Sequence, residues 1–413
     1  MKFETNYHSL KNGVRVLTIP MSGVESLASL VLVRTGSRNE SPEIAGISHV
    51  LEHMLFKGTK KYRTSLSLAS AVDALGAEYN AYTAKEYTGY YIHADARHAG
   101  RAIEILGEMV TSPLLMEEEL KREQGVIIEE INMYEDLPME RAEEEVENLL
   151  YMGNPLGRLI IGNKKTVAAT TPETVRAYKD KWYRGGNVLI VLVGKLPKGE
   201  RMELLENAFG GLPGGKLEQF VVPGAYGEER SFHLTKKTEQ AHFAMAWPGH
   251  SLDNNDRYAA KVLATALGGS MSSRLFTEVR EKRGLAYYVR AGHDPLYDVG
   301  QFVVKAGVKL EQLGEAKRVV MEQTATIGES VTESEVKLAR DNLHGRTVLA
   351  MTDPMSVAQY YGHRTLLTDK VLGIDETLKA LDKVTLSEVK RVAKELLRSE
   401  LCRSVVVGPS FVG

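Results

Sequence analysis

The residues with the clearest chemical potential stand in one short stretch, His49-x-x-Glu52-His53. On a helix, residues four apart lie on one face, and the residue three along lies beside them. His49 and His53 can therefore direct two imidazoles at one zinc ion, with the Glu52 carboxylate next to an open coordination position. This order is the reverse of the commoner metalloprotease motif and indicates metal-assisted hydrolysis.

The neighbouring residues favour a helix that carries this motif. Apolar side chains recur at spacings of three and four residues, at Ile47, Val50, Leu51, Met54 and Leu55. Ser41-Pro42 is a candidate N-cap with proline at the first helical position, and Gly58 is a candidate C-terminal stop. The alternative interpretation is a surface helix that carries two histidines and a glutamate by chance.

A catalytic zinc requires a third protein ligand, which must come from elsewhere in the chain. We expect the remaining histidines to be surface or satisfied core residues, because no pair of them has metal-like spacing: His8, His93, His98, His233, His242, His250, His293, His344 and His363. A helical pattern that starts near Glu117 offers acidic candidates. The sequence alone leaves four of them open: Glu123, Glu129, Glu130 and Glu135.

Length and composition are those of an ordinary globular protein. The 413 residues, 43% hydrophobic and 26% charged, predict two or three domains with proper cores. A formal net charge of −2 argues against nucleic acid or a membrane surface as the partner. Cys402 is the single cysteine, which excludes an internal disulfide and a cysteine-based zinc site. Without an apolar leader or a membrane span, we expect a cytoplasmic protein.

The order of predicted elements repeats along the chain. The first half begins with strands at 14–19 and 27–33, which the motif helix follows. It continues with a hairpin over 79–94 and with helices at 97–111 and from 117. Pro138 is expected to break or end the helix that starts near 117, and the acidic run at 143–145 begins a further helical segment. The second half restarts this order with a strand at 241–247. Helices at 253–267 and 272–283 and strands at 285–293 and 299–307 follow it.

A shift of 212 residues places the motif helix on Lys261-Val262-Leu263-Ala264-Thr265-Ala266-Leu267. The apolar positions match, while the three chemical residues are replaced, which indicates a duplicated domain whose second copy has no metal site. We therefore predict an α+β protein of two homologous half-domains, each a mainly antiparallel sheet with helices packed on one face. The predicted domains are 1–212 and 230–413, joined by a linker at 213–229 that is rich in glycine and proline.

The stretch His49-Val50-Leu51-Glu52-His53-Met54-Leu55-Phe56-Lys57-Gly58-Thr59 resembles the signature of the M16 family of zinc peptidases, which are inverzincins. Residues 122–131 resemble the family's downstream ligand helix. By that match, Glu130 is the third ligand of one zinc per chain and Glu123 an accompanying carboxylate, while Glu129 would point about 100° away around the helix. The resemblance covers the whole chain and implies the LuxS/MPP-like metallohydrolase fold.

Further matches to the family suggest how substrate is held. Residues 76–83 resemble the edge strand on which a peptide adds as an extra strand, with Asn80 and Ala81 on it and Phe56 nearby as substrate-binding residues. Arg280 and Tyr287 resemble the pair that reaches the zinc from the metal-free domain. Glu140 and Glu144 fall where processing peptidases receive basic side chains, although a solvated acidic helix is an equal alternative.

The chemistry implied by this resemblance is hydrolysis of peptides by a zinc endopeptidase. Glu52 would act as the general base, and Tyr287 and Arg280 would stabilise the oxyanion. Longer members of the family enclose substrate in four half-units, so this two-unit chain favours a homodimer, with a heterodimer with a zinc-free partner left open. The alternative is a non-catalytic subunit of the same fold that binds peptides or partners.

Overall fold

The computed structural model describes residues 2–197, 199, 201–215, 219–221 and 229–410, and within these ranges the chain folds into two compact units. The first unit comprises Met1–Ile131, Arg158–Val221 and Val348–Asp375. The second comprises Asn132–Gly157, Val222–Thr347 and Glu376–Gly413. Each half of the sequence therefore contributes a segment to the other unit. The domain bounds at 212 and 229 stay a prediction, and most of the expected linker lies outside the described residues.

The first unit is built on a six-stranded sheet in the order β1-β2-β6-β3-β5-β4, in which β2 and β6 are parallel and the other pairs antiparallel. Its strands are β1 Asn6–Ser9, β2 Arg15–Pro20, β3 Ser26–Val33, β4 Glu78–Thr83, β5 Thr88–Asp95 and β6 Val188–Gly194. Its helices are α1 Ile47–Met54, α2 Ser65–Asp73, α3 Ala99–Thr111, most of α4 Glu117–Glu135, α6 Lys164–Ala169, α7 Pro172–Trp182, α8 Arg201–Phe209 and α12 Pro354–Thr368.

The second unit is built on a five-stranded sheet in the order β7-β11-β8-β10-β9, in which only β7 and β11 are parallel. Its strands are β7 Ser231–Thr235, β8 Ala241–Gly249, β9 Ala286–Pro295, β10 Gly300–Val308 and β11 Arg403–Gly408. Its helices are α5 Pro138–Leu150, α9 Arg257–Gly268, α10 Leu313–Ser330, most of α11 Glu333–Ala350, most of α13 Ile374–Asp382 and α14 Leu386–Leu396. Apart from β1, the two sheets have the same strand order and directions. The predicted α+β class with duplicated halves is confirmed.

Both faces of each sheet are covered, and the second face is covered by a helix exchanged between the halves. Phe243, Met245 and Trp247 of β8 join the core formed with helices of their own half. The alternate residues Ala244 and Ala246 pack instead with α5. In the first unit, α12 packs on β3 and β6. The helices that each half packs on one face of its own sheet agree with the prediction. The exchanged helices cover the other face, which strands with apolar residues on both faces require.

The motif helix α1 begins differently from the expectation. Pro42 opens a separate 3₁₀ turn, Pro42–Ile44, and α1 starts at Ile47 after Gly46, whose φ is +93°. The buried Glu40 carboxylate accepts hydrogen bonds from the backbone N–H groups of Gly46 at 2.7 Å and Ser48 at 2.8 Å. A side-chain acceptor six residues upstream therefore caps the helix, in place of the predicted Ser41.

Three other predicted boundaries differ from the structure. The helix predicted at 253–267 begins at Arg257, and the one predicted at 272–283 is reduced to a π-helical turn, Phe276–Glu281. The acidic segment is already helical from Pro138, because proline is tolerated in the first helical turn. No helix among the described residues is long and apolar enough to cross a bilayer.

Candidate metal centre

Three side chains of the first unit converge where the sequence predicts a metal. His49 and His53 project from one face of α1, and their ring centroids lie 4.6 Å apart. The Nε2 atoms of both rings lie 3.7 Å from the same carboxylate oxygen, Oε2 of Glu130 on α4. Donor atoms around a tetrahedral zinc ion are about 3.3–3.5 Å apart when the bonds are about 2.0–2.1 Å long. The three donors therefore nearly match the coordination shell of one zinc ion.

The composition of this donor set fits zinc. Two imidazoles and a carboxylate are the ligands of many catalytic zinc sites, which leave a fourth position for water. Glu130 is partly exposed, so the centre has access to solvent. Among the described residues, the group that includes both motif histidines contains Glu130 and not its exposed neighbour Glu129. Consecutive residues of a helix point about 100° apart, so Glu130 faces the two histidines and Glu129 does not.

Behind the metal-facing atoms, His53 is held by a second carboxylate. Its Nδ1 atom lies 3.0 Å from Oε2 of the buried Glu123, two helical turns before Glu130 on the same face of α4. Lys57 donates to the other oxygen of Glu123 at 2.7 Å. Burial raises the pKa of Glu123, but hydrogen bonds from His53 and Lys57 outweigh it and leave the pKa lowered. An ionised Glu123 fixes the Nδ1–H tautomer and presents Nε2 to a metal.

Glu52, which precedes His53 on α1, is hydrogen bonded by the edge strand. Thr83, the last residue of β4, donates its hydroxyl to Oε2 of Glu52. Burial raises the pKa of Glu52, against the lowering effects of Thr83 and His53. Burial likewise raises the pKa of Glu130 and lowers the pKa of His49 to about 3. A cation placed among these groups would be favoured by the half-buried carboxylates of Glu52 and Glu130 and by the neutral imidazole of His49.

The predicted substrate strand is close to the same centre. β4 lies at the end of its sheet, where it pairs with β5 on one side. Asn80 is exposed on it and accepts a hydrogen bond from the N–H of Ala81 at 2.9 Å. The rings of Phe56 and Tyr79 lie 6.2 Å apart beside this strand. An edge strand with these side chains can accept an extended peptide by main-chain pairing.

Comparison with known proteins agrees with the sequence resemblance. Residues 15–164 match the family model described as insulinase, peptidase family M16, and residues 169–343 match the one described as the M16 inactive domain. An uncharacterized zinc protease of Streptomyces coelicolor is 35% identical over 97% of this chain and 89% of its own length. One from Bacillus subtilis is 33% identical over 97% of both chains.

The chain belongs to peptidase family M16.

Solved structures show how widely this M16 fold is shared. A protease from Helicobacter pylori superposes with a TM-score of 0.91 at 23% identity, covering 99% of this chain and 100% of that one. A Pseudomonas fluorescens structure described as a peptidase M16 inactive domain gives 0.92 at 21% identity, covering 99% and 98%. At such identities the comparison shows the fold alone. The M16 relatives named as zinc proteases make this chain a member of a zinc protease family.

Four of the predicted site residues, two catalytic and two substrate-binding, lie in the second unit. The Arg280 guanidinium lies 4.9 Å from the ring centroid of Phe276 and 5.9 Å from that of Tyr287, whose side chain is 75% exposed. Glu140 and Glu144 lie on α5, where Glu144 pairs with Arg141 at 3.3 Å. The structure thus brings Arg280 and Tyr287 together, while the action of all four on substrate stays a prediction.

Sequence reasoning missed three residues that support the centre. Thr83 lies within the segment matched to the family strand, and its odd-numbered position places it on the same face as Tyr79 and Ala81. Lys57 stands four residues after His53, a spacing that could have indicated it. His363 of α12 gives no sequence signal, yet its Nε2 atom lies 2.7 Å from the hydroxyl of Tyr82 on β4.

Proposed function

We propose that this protein is a zinc-dependent endopeptidase that hydrolyses peptides or unfolded segments. The observation that carries the proposal is the approach of two Nε2 atoms, on His49 and His53, to one oxygen of Glu130 at 3.7 Å each. Glu52, a glutamate outside this donor set, stands beside them on the same helix. Binding groups, a proton acceptor and an open edge strand are thus all contributed by the first unit.

His49, His53 and Glu130 would hold the metal, and Glu123 would orient His53. When bound, zinc supplies the Lewis acid that makes water nucleophilic near neutral pH and polarises a scissile carbonyl. Glu52 would accept the proton from the attacking water and return it to the leaving amine. Its raised pKa suits a group that must both take and release a proton, and Thr83 holds its carboxylate in place.

Substrate would bind as an added strand along β4, with Asn80, Ala81 and Phe56 in contact with it. Arg280 and Tyr287 would stabilise the developing oxyanion, which makes turnover depend on closure of the two units. Glu140 and Glu144 would favour peptides with Arg or Lys near the cut. A homodimer would complete the chamber around substrate, and a heterodimer with a zinc-free partner is the alternative.

The test is cleavage of quenched fluorescent peptides, with and without a basic residue, by the zinc-loaded wild type and by Glu52→Gln. Removal of a general base costs about 10²–10⁴-fold in rate, so we expect turnover to fall by that factor while zinc stays bound. Glu43→Gln, an exposed glutamate just before α1, is the matched control and should keep full activity. Zinc-loaded wild type that cleaves no peptide would contradict the proposal and favour a non-catalytic subunit.

A further inference from the structure

The hairpins β4–β5 and β9–β10 correspond residue for residue at a shift of 212. Thr83 pairs with Thr88 in the first, and Pro295 pairs with Gly300 in the second. The same shift places α1 within α9. The metal centre of the first unit therefore has a counterpart position in the second, between α9 and β9.

That counterpart position is a cavity of about 620 Å³. Lys261 and Thr265 of α9, which replace His49 and His53, both line it. Arg346 lines it from α11. This helix is the second one after the β9–β10 hairpin, and α4 is likewise the second helix after the β4–β5 hairpin. The duplicated site thus presents cationic side chains where the first unit presents metal ligands.

The charge of this cavity is strongly unbalanced. Its lining contains four cationic side chains, Lys261, Arg280, Arg290 and Arg346, against a single carboxylate, Asp294. Burial, with a further contribution from Glu143 and Glu147, raises the pKa of Asp294 and so weakens its counter-charge. His293 is neutral, because burial lowers its pKa to about 3. Among the described residues, no carboxylate forms a salt bridge with Lys261, Arg290 or Arg346.

Lys261 lines an open cavity in which the surrounding protein affects its protonation. Its side chain keeps accessible surface, yet the surrounding protein removes enough water to lower its pKa, with Asp294 acting in the opposite direction. An anion that entered would restore the lost interactions of Lys261 and pair with the forked donors of the arginines. Space exists for it, because a Cβ atom built on Gly292 of β9 meets no atom within 4 Å.

We propose that this cavity binds a carboxylate of the peptide substrate, with Lys261, Arg290 and Arg346 as the anion-binding groups. The inference rests on the proposed peptidase function, since that function supplies the peptide. The carboxylate can be the C-terminus or an Asp or Glu side chain, since the cations recognise the same group in both. The second unit would then retain a binding role at the place where it has no metal ligands.

The test measures binding by fluorescence anisotropy in the zinc-loaded Glu52→Gln protein, which holds peptides without cutting them. Two probes of one sequence differ only at the C-terminus, which is a free carboxylate or an amide. Two further probes both end in an amide and carry either Glu or Gln at one internal position. One charge-assisted hydrogen bond is worth about 1.5–3 kcal/mol, so we expect loss of the recognised carboxylate to weaken binding about 10- to 100-fold. The probe that loses affinity identifies which carboxylate is bound.

Two further variants locate the effect. Lys261→Met removes a cation, and Gly292→Leu fills the cavity without changing its charge, so both should abolish the preference. Lys309→Met, an exposed lysine just after β10, should retain it. Equal binding of all probes by the parent, or a preference that survives both cavity variants, would overturn the inference. Cleavage of the same probes by wild type separately reports on the peptidase function.

Discussion

The Nδ1 atom of His53 lies 3.0 Å from the carboxylate of Glu123, on the side of the ring opposite Nε2, which faces Glu130 at 3.7 Å. His53 is thereby held between two acidic residues of α4 that are seven positions apart. One carboxylate is buried and ionised by its partners, and the other is directed at the metal position. The relationship couples the orientation of a ligand to the packing of α4 against α1.

Replacing Glu123 by Gln should weaken zinc binding by about 10- to 100-fold, the usual effect of losing a carboxylate partner of a metal-bound histidine. Gln keeps the shape but removes the charge that fixes the His53 tautomer and pairs with Lys57. Competition with a fluorescent chelator measures the affinity. Glu118→Gln, an exposed position near the start of the same helix, should bind zinc as the wild type does. Equal affinities for the two variants would show that Glu123 does not orient His53.

Thr83→Val should reduce kcat about tenfold and leave both KM and zinc content unchanged. Valine matches threonine in shape but lacks the hydroxyl that donates to Glu52, and a hydrogen bond to a charged group is worth about 1.5–3 kcal/mol. Steady-state kinetics on one quenched peptide gives both constants. Thr111→Val, which removes a hydroxyl bonded only within its own region of α3, serves as the control. An unchanged kcat for Thr83→Val would mean that this contact does not position Glu52.

His363 should make the protein sensitive to acid. Burial lowers its pKa to about 4, whereas the unfolded chain has an ordinary histidine pKa near 6.5. The unfolded state therefore binds more protons between these values, and the free energy of unfolding falls as pH drops from about 6.5 to 4. The loss attributable to this residue is on the order of 2–3 kcal/mol.

Urea unfolding at pH 7 and pH 4.5 compares the wild type with His363→Gln, which still offers an acceptor to the Tyr82 hydroxyl. The variant should lose less stability on acidification than the wild type. His8→Gln, at an exposed position on β1, should behave as the wild type does. The same acid sensitivity in all three proteins would assign the effect to other groups.

The local elements could be predicted from the sequence where their patterns are short-range. The apolar stripe of α1 and the alternation of the β4–β5 hairpin give these elements directly, and the register at 212 follows from them. The exchange of α5 and α12 could not be predicted. The all-apolar β6 shows that both of its faces are buried, but a strand pattern does not specify which helix provides the cover.

The residues of the metal centre also divide into those that the sequence alone predicts and those that it does not. His49 and His53 are neighbours on one helix, so their spacing alone places them together. The choice of Glu130 as a ligand required the family resemblance, because the four candidate glutamates of α4 are chemically equivalent in the sequence. Thr83 reaches Glu52 from 31 residues further along the chain, and Glu40 reaches the start of α1 across a 3₁₀ turn; a single hydroxyl or carboxylate carries no pattern that predicts either partner.

Zinc content per folded chain, measured by plasma mass spectrometry after exhaustive dialysis, tests the central claim most directly. The wild type should carry one zinc ion, and His53→Ala should carry none, because only two donors remain. His8→Ala is the matched control and should keep the full amount. A wild type without zinc, or equal zinc in wild type and His53→Ala, would contradict a metal centre formed by His49, His53 and Glu130.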